Sequence, residues 1–144
     1  MRVALAWAVL TVASAACACD CGFPTIPSQR HMSSDVFVGR VRSAGTLGLI
    51  RRGRVFVERS WKGTPAGRTV VVGTMRDGPT CGVEFKVGDR MLVFARPGTG
   101  DVQGMLWTDL CDRSTTNPLR VAALSDSLGE PSSTAKLPHG WWGW

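Results

Sequence analysis

Asp35-Val36-Phe37-Val38-Gly39-Arg40-Val41-Arg42 is the stretch on which the reading of the fold turns. It is rich in β-branched residues and half alternates between apolar and polar, a pattern that suits a strand better than a helix. Four more stretches share its character: Arg54-Val55-Phe56-Val57-Glu58-Arg59-Ser60-Trp61, Thr69-Val70-Val71-Val72-Gly73-Thr74, Arg90-Met91-Leu92-Val93-Phe94-Ala95 and Met105-Leu106-Trp107-Thr108-Asp109-Leu110. Glycine-containing turns separate them, among them Lys62-Gly63-Thr64-Pro65, Asp77-Gly78-Pro79, Val87-Gly88-Asp89 and Pro97-Gly98-Thr99-Gly100. About five strands at this spacing, with almost no helix between them, predict a mainly β fold: a small antiparallel barrel or sandwich.

The period changes near the end. Val121, Leu124 and Leu128 recur at three and four residues within Leu119 to Leu128, which predicts one C-terminal helix stopped by Gly129, with Pro131 just beyond. At the other end, Pro24 and Pro27 make the segment after Cys21 an extended arm, and Ser28 to Ser34 has room for one helical turn. From residue 131 onward no period is usable. Residues 131–144, ending in Trp141, Trp142 and Trp144, read as a flexible tail, with stacking on sugars or contact with a membrane interface as the functional alternative.

Met1-Arg2 followed by an apolar run to Ala13 reads as a secretory signal peptide over residues 1–18. The run is too short to span a membrane, which takes about 20 apolar residues, and no second run of that length follows. Small residues allow cleavage before Cys17 or before Cys19. Cutting before Cys17 leaves Cys17, Cys19, Cys21, Cys81 and Cys111, an odd set in an oxidising compartment; cutting before Cys19 leaves four that can pair completely. Cys19 is therefore the favoured mature terminus. A lipoprotein at Cys17 would want an apolar residue where Ser14 stands. The chain is then expected to be secreted, extracellular or periplasmic if the host has an outer membrane.

The full chain carries a net charge of +6, and losing Arg2 leaves +5, from 16 Lys and Arg against 11 Asp and Glu. Such a surface suits an anionic glycan or an acidic protein; nucleic acid is the poorer partner for an exported chain. Arg51 and Arg52, in the connection from Ala44 to Gly53, form a basic patch with Arg54 just after it, and the connection reads as a short hairpin tip, either a binding surface or a solvated turn. His31 and His139 lie far apart with no neighbouring nucleophile, so no catalytic set assembles and the chain is not expected to be an enzyme. A thiolate metal cluster of Cys17, Cys19 and Cys21 conflicts with export, and no cofactor or intrinsic metal is expected.

A five-strand barrel with a closing helix has the form of an oligonucleotide-binding-type (OB-fold) closed barrel. Within it, Cys19-Asp20-Cys21, Thr80-Cys81-Gly82 and Leu106-Trp107-Thr108-Asp109-Leu110-Cys111 occur in an order that resembles the N-terminal, netrin-like domain of tissue inhibitors of metalloproteinases and their bacterial relatives. Ser34 to Val38, Trp61-Lys62-Gly63, Cys81-Gly82 followed by Phe85 and Gly88, and Met91 to Ala95 extend the resemblance, which covers residues 19–130 as one domain.

The resemblance implies disulfides from Cys19 to Cys81 and from Cys21 to Cys111, tying the arm to the barrel. Each would contribute on the order of 4 kcal/mol, though crossed rings do not add. A further disulfide of the vertebrate members has no counterpart: its first position falls near Met32 and no Cys follows Cys111. The resemblance also implies a partner, a zinc metalloendopeptidase. The α-amine and carbonyl oxygen of Cys19 would chelate its catalytic zinc in place of the activated water, with Asp20, Cys21, Thr80, Cys81 and Gly82 against the cleft. Asp20 departs from the family, which places Thr or Ser there. A carboxylate about 4 Å from the enzyme's catalytic Glu costs about 4 kcal/mol at an effective dielectric near 20, so familiar animal metalloproteinases should be poorly inhibited. The alternative function is a netrin-like extracellular binding module without inhibitory activity.

Overall fold

In the computed structural model, which describes residues 21–22, 24–76 and 81–136, the run beginning at Asp35 opens a long strand, β1 (Asp35–Leu47). It pairs antiparallel with β2 (Ile50–Lys62) on one side and with β4 (Arg90–Pro97) on the other. β3 (Thr69–Met75) pairs with β2, and the two-residue β5 (Leu106–Trp107) lies between β3, to which it is parallel, and β4. The pairings thus lead from β1 through β4, β5, β3 and β2 back to β1. A sixth strand, β6 (Ser133–Thr134), adds to β2 opposite Arg59 and Ser60.

The half-alternation of β1 has a direct cause. Phe37 and Val41 face inward with Val55, Val57, Val72, Met91 and Val93, while Val36 and Val38 face outward with Trp61, Leu92 and Phe94 under the helices. Successive side chains of a strand point to opposite faces, so a strand buried on both reads as nearly continuous apolar sequence. The helices over the outward face are α1 (Ile26–Met32) and α2 (Pro118–Leu128). α2 turns Val121, Ser125 and Leu128 inward, begins at Asn117, whose Oδ1 accepts from the N–H groups of Leu119 and Arg120, and ends at Gly129 with φ +72°.

Four expectations change. The arm is helical from Ile26, because Thr25 caps the helix and Pro27 falls in its first turn, where its missing N–H costs nothing. The connection from Ala44 to Gly53 is a paired two-stranded ribbon closed by a turn at Gly48 and Leu49, with Gly48 at φ +58°. The fifth strand shrinks to Leu106–Trp107, since Asp109 caps a 3-10 turn over Leu110–Asp112. Residues 131–136, grouped with the tail, are packed: β6 docks on β2, and Ala135 donates its N–H to the Glu58 carbonyl. Residues 1–18, read above as a signal peptide, and residues 137–144, with the Trp-rich end, lie outside the described residues. Among those described, no helix is long and apolar enough to cross a membrane.

Candidate functional site

The site is built around sulfur. Cys21 and Cys111 form a disulfide spanning 90 residues, so the start of the arm is fixed to the 3-10 turn after β5. Cys81 is also disulfide-bonded; Cys19, the partner expected for it, lies outside the described residues. The sulfurs of Cys21, Cys81 and Cys111 lie within 4.8 Å of one another. Held in disulfides they offer no thiolate to a metal. Cys19, Asp20 and Thr80 are themselves outside the described residues.

The segment from Cys81 to Phe85 has no regular structure, yet several of its groups are tied to the sheet and its neighbours. Cys81 takes a left-handed conformation at φ +56°, rare for a residue with a Cβ, and its carbonyl accepts from the Leu110 N–H at 2.7 Å. Val83 donates its N–H to the buried Thr74 hydroxyl at 3.1 Å and accepts from Arg51 Nη1 at 3.3 Å. Phe85 drops into the core against Gly53, where a Cβ would meet its ring at 2.5 Å. Gly82 passes so close to β3 that a Cβ would sit 1.8 Å from the Met75 carbonyl oxygen. Its small size is thus demanded by backbone approach, whatever it contacts beyond the chain. Gly82→Ala should lower stability by about 1–3 kcal/mol or more through overpacking, read as an earlier urea midpoint. An unchanged midpoint would mean the segment shifts freely.

On the Cys111 side, Asp109 and Asp112 cap each other's backbone N–H groups at 3.1 and 3.2 Å. Arg96 reaches Asp109 at 3.3 Å and Asp112 at 3.8 Å, and Gln29 of α1 donates to Asp112 at 3.5 Å. Arg113 donates its Nε–H to the Pro24 carbonyl at 2.7 Å. The arm is therefore held by a disulfide, a charge-assisted hydrogen bond and the α1 contact together. None of Gln29, Arg96, Asp109, Asp112 and Arg113 stands out from the sequence; the Asp109 to Asp112 spacing of a capping box was the one usable signal.

Burial, and next the neighbouring Asp109 charge, push the Asp112 carboxyl above its ordinary value of 3.8, against the opposing pull of Arg96. A carboxyl raised on folding binds more protons in the folded than in the unfolded chain, so stability falls as pH rises from 3.8 through the raised value. Asp112→Asn should flatten that part of the profile of unfolding free energy against pH. Unchanged steepness would assign the slope to other groups.

The basic patch divides. Arg52 and Arg54 are exposed on the outer face of β2, but Arg51 points the other way and is the half-buried donor to Val83 described above. In an irregular tip the three would cluster; in a strand, alternation separates them. Comparison with known proteins adds no further constraint: no family model matches the chain, and no curated protein matches it significantly.

Proposed function

We propose that the chain is a secreted, non-enzymatic inhibitor of a zinc metalloendopeptidase, built on a closed barrel of the OB type and directing the Cys19 amine and carbonyl at the catalytic zinc. The observation that carries this reading is the convergence of the Cys21 and Cys81 sulfurs within 4.8 Å, which brings the two segments assigned to the protease cleft side by side. The return of the strand pairing from β2 to β1 supports the closed barrel. The anchoring through Pro24 and Gln29 supports a rigid terminus, which binds without an ordering cost. The test is a panel of zinc endopeptidases titrated with protein beginning at Cys19 and with the same protein carrying one Ala before Cys19. Inhibition by the first alone is expected. Equal inhibition by both, or by neither, overturns zinc-directed inhibition.

Exposed Arg52 and Arg54 on one face of the β1–β2 ribbon, beside Arg42 stacked 5.5 Å from the Phe56 ring centroid, favour a second reading as a module for an anionic glycan or acidic protein. Salt-sensitive retention on immobilised heparin should drop when Arg52 and Arg54 are replaced by Ser. Retention unaffected by that change removes this reading.

A further inference from the structure

A cavity of about 400 Å³ opens between α2 and the strands beneath, with Arg59 of β2 and Asp126 of α2 in its lining. Its volume falls in the range of small-molecule sites. The Arg59 guanidinium lies 5.3 Å from the Trp61 ring centroid, and its Nε is buried without a hydrogen-bond partner. Among the described residues no carboxylate or carbonyl accepts from it. Burying that Nε unpaired costs the fold, and since it is closed to solvent, only the two terminal nitrogens of Arg59 are left to a ligand in the cavity.

Among the other polar groups of the lining acceptors predominate, with Arg90 a second cation that shares its carboxylate with Arg40. Arg90 gives its Nε–H to Glu58 at 2.6 Å. The hydroxyl protons of Thr116 and Ser125 go to the carbonyls of Glu84 and Val121, leaving lone pairs. Asp126 has no side-chain partner among the described residues, and Asp89 adds a second carboxylate. Arg59, without an ion-pair partner among the described residues, and Arg90, which shares Glu58 with Arg40, thus face the carboxylates of Asp89 and Asp126 across a wall of Pro118, Val121 and Ala122. A dianion such as phosphate would meet two carboxylates; a plain cation would meet Arg59.

We propose that this cavity binds a small zwitterion, a free aliphatic amino acid, with its carboxylate on Arg59, its ammonium group toward Asp126 and its side chain against Val121 and Ala122. A guanidinium matches a carboxylate bidentately, and the ammonium group answers the acceptors. The site is independent of the inhibitor reading: Arg90 lines it at the start of β4, whereas Arg96, near the other end of that strand, serves the disulfide region.

Titrating the labelled protein with L-alanine while following amide shifts of residues 121–126 should give saturable binding. Acetate and methylammonium should each bind more weakly, and inorganic phosphate should leave those amides unmoved. Arg59→Gln should weaken L-alanine at least about tenfold, the value of a lost charge-assisted hydrogen bond. Asp126→Asn, at an exposed helix position where folding is not at stake, should weaken it by about threefold. No saturation by L-alanine in the wild-type protein overturns the proposal. So does acetate binding as tightly as L-alanine, phosphate binding in its place, or an affinity indifferent to Asp126→Asn.

Discussion

Replacing Cys21 and Cys111 together by Ala should lower the free energy of unfolding by about 4–5 kcal/mol, the largest single loss expected in this chain. The bond closes a ring across a sequence separation of 90, and the chain-entropy estimate for a ring of that size is about 4.6 kcal/mol. Small domains have only about 5–15 kcal/mol in total, so the variant should be close to unfolded at physiological temperature. The loss should exceed the entropic term if the arm detaches, because the Pro24 to Arg113 and Gln29 to Asp112 contacts depend on the same anchor. Guanidinium unfolding of the oxidised wild type and the double variant measures it. A loss under about 1 kcal/mol would mean that those contacts hold the arm without the disulfide.

Trp61→Ala should cost about 3–5 kcal/mol, the range for deleting a fully buried large aromatic. Trp61 is 3 % exposed, fills the space between the outward face of β1 and α2, and donates its indole N–H to the Gly129 carbonyl at 2.7 Å. It therefore closes the end of α2 as well as the second core. Trp61→Phe separates these roles: most of the ring volume stays and the hydrogen bond goes, so about 1–2 kcal/mol should be lost. Equal losses for Ala and Phe in thermal unfolding would place the whole effect in the hydrogen bond and not in packing. Trp61 also lies under Arg59, so the Ala variant should lose L-alanine binding with its stability.

The strands were readable wherever one residue type dominated a short run. β1, β2, β3 and β4 each contain the predicted stretch, because β-branched residues packed on two faces leave a pattern that needs no knowledge of partners. The ribbon from Ala44 to Gly53 was not readable. Its glycines and arginines look like a loop, and pairing across the two-residue turn, together with β3 alongside, makes it a strand. For the same reason Arg51 was grouped with Arg52 and Arg54. Only the register assigns it to the opposite face, where it supports the Cys81 segment.

For the disulfide-tied arm, reading the chain as exported with four cysteines led to the expectation that they pair, and the resemblance supplied the pairing of Cys21 with Cys111 that the structure holds. The amino-acid sequence alone determined the single C-terminal helix and its stop at Gly129, which are local matters of periodicity and of a positive φ. Tertiary structure decided that Cys81 and Gly82 run against β3 with no room for a side chain, that Asp109 and Asp112 clamp the turn beneath the bond, and that Arg59 faces a cavity unpaired. Each of these depends on distances between residues far apart in the chain, and such distances exist only once the sheet has set its register.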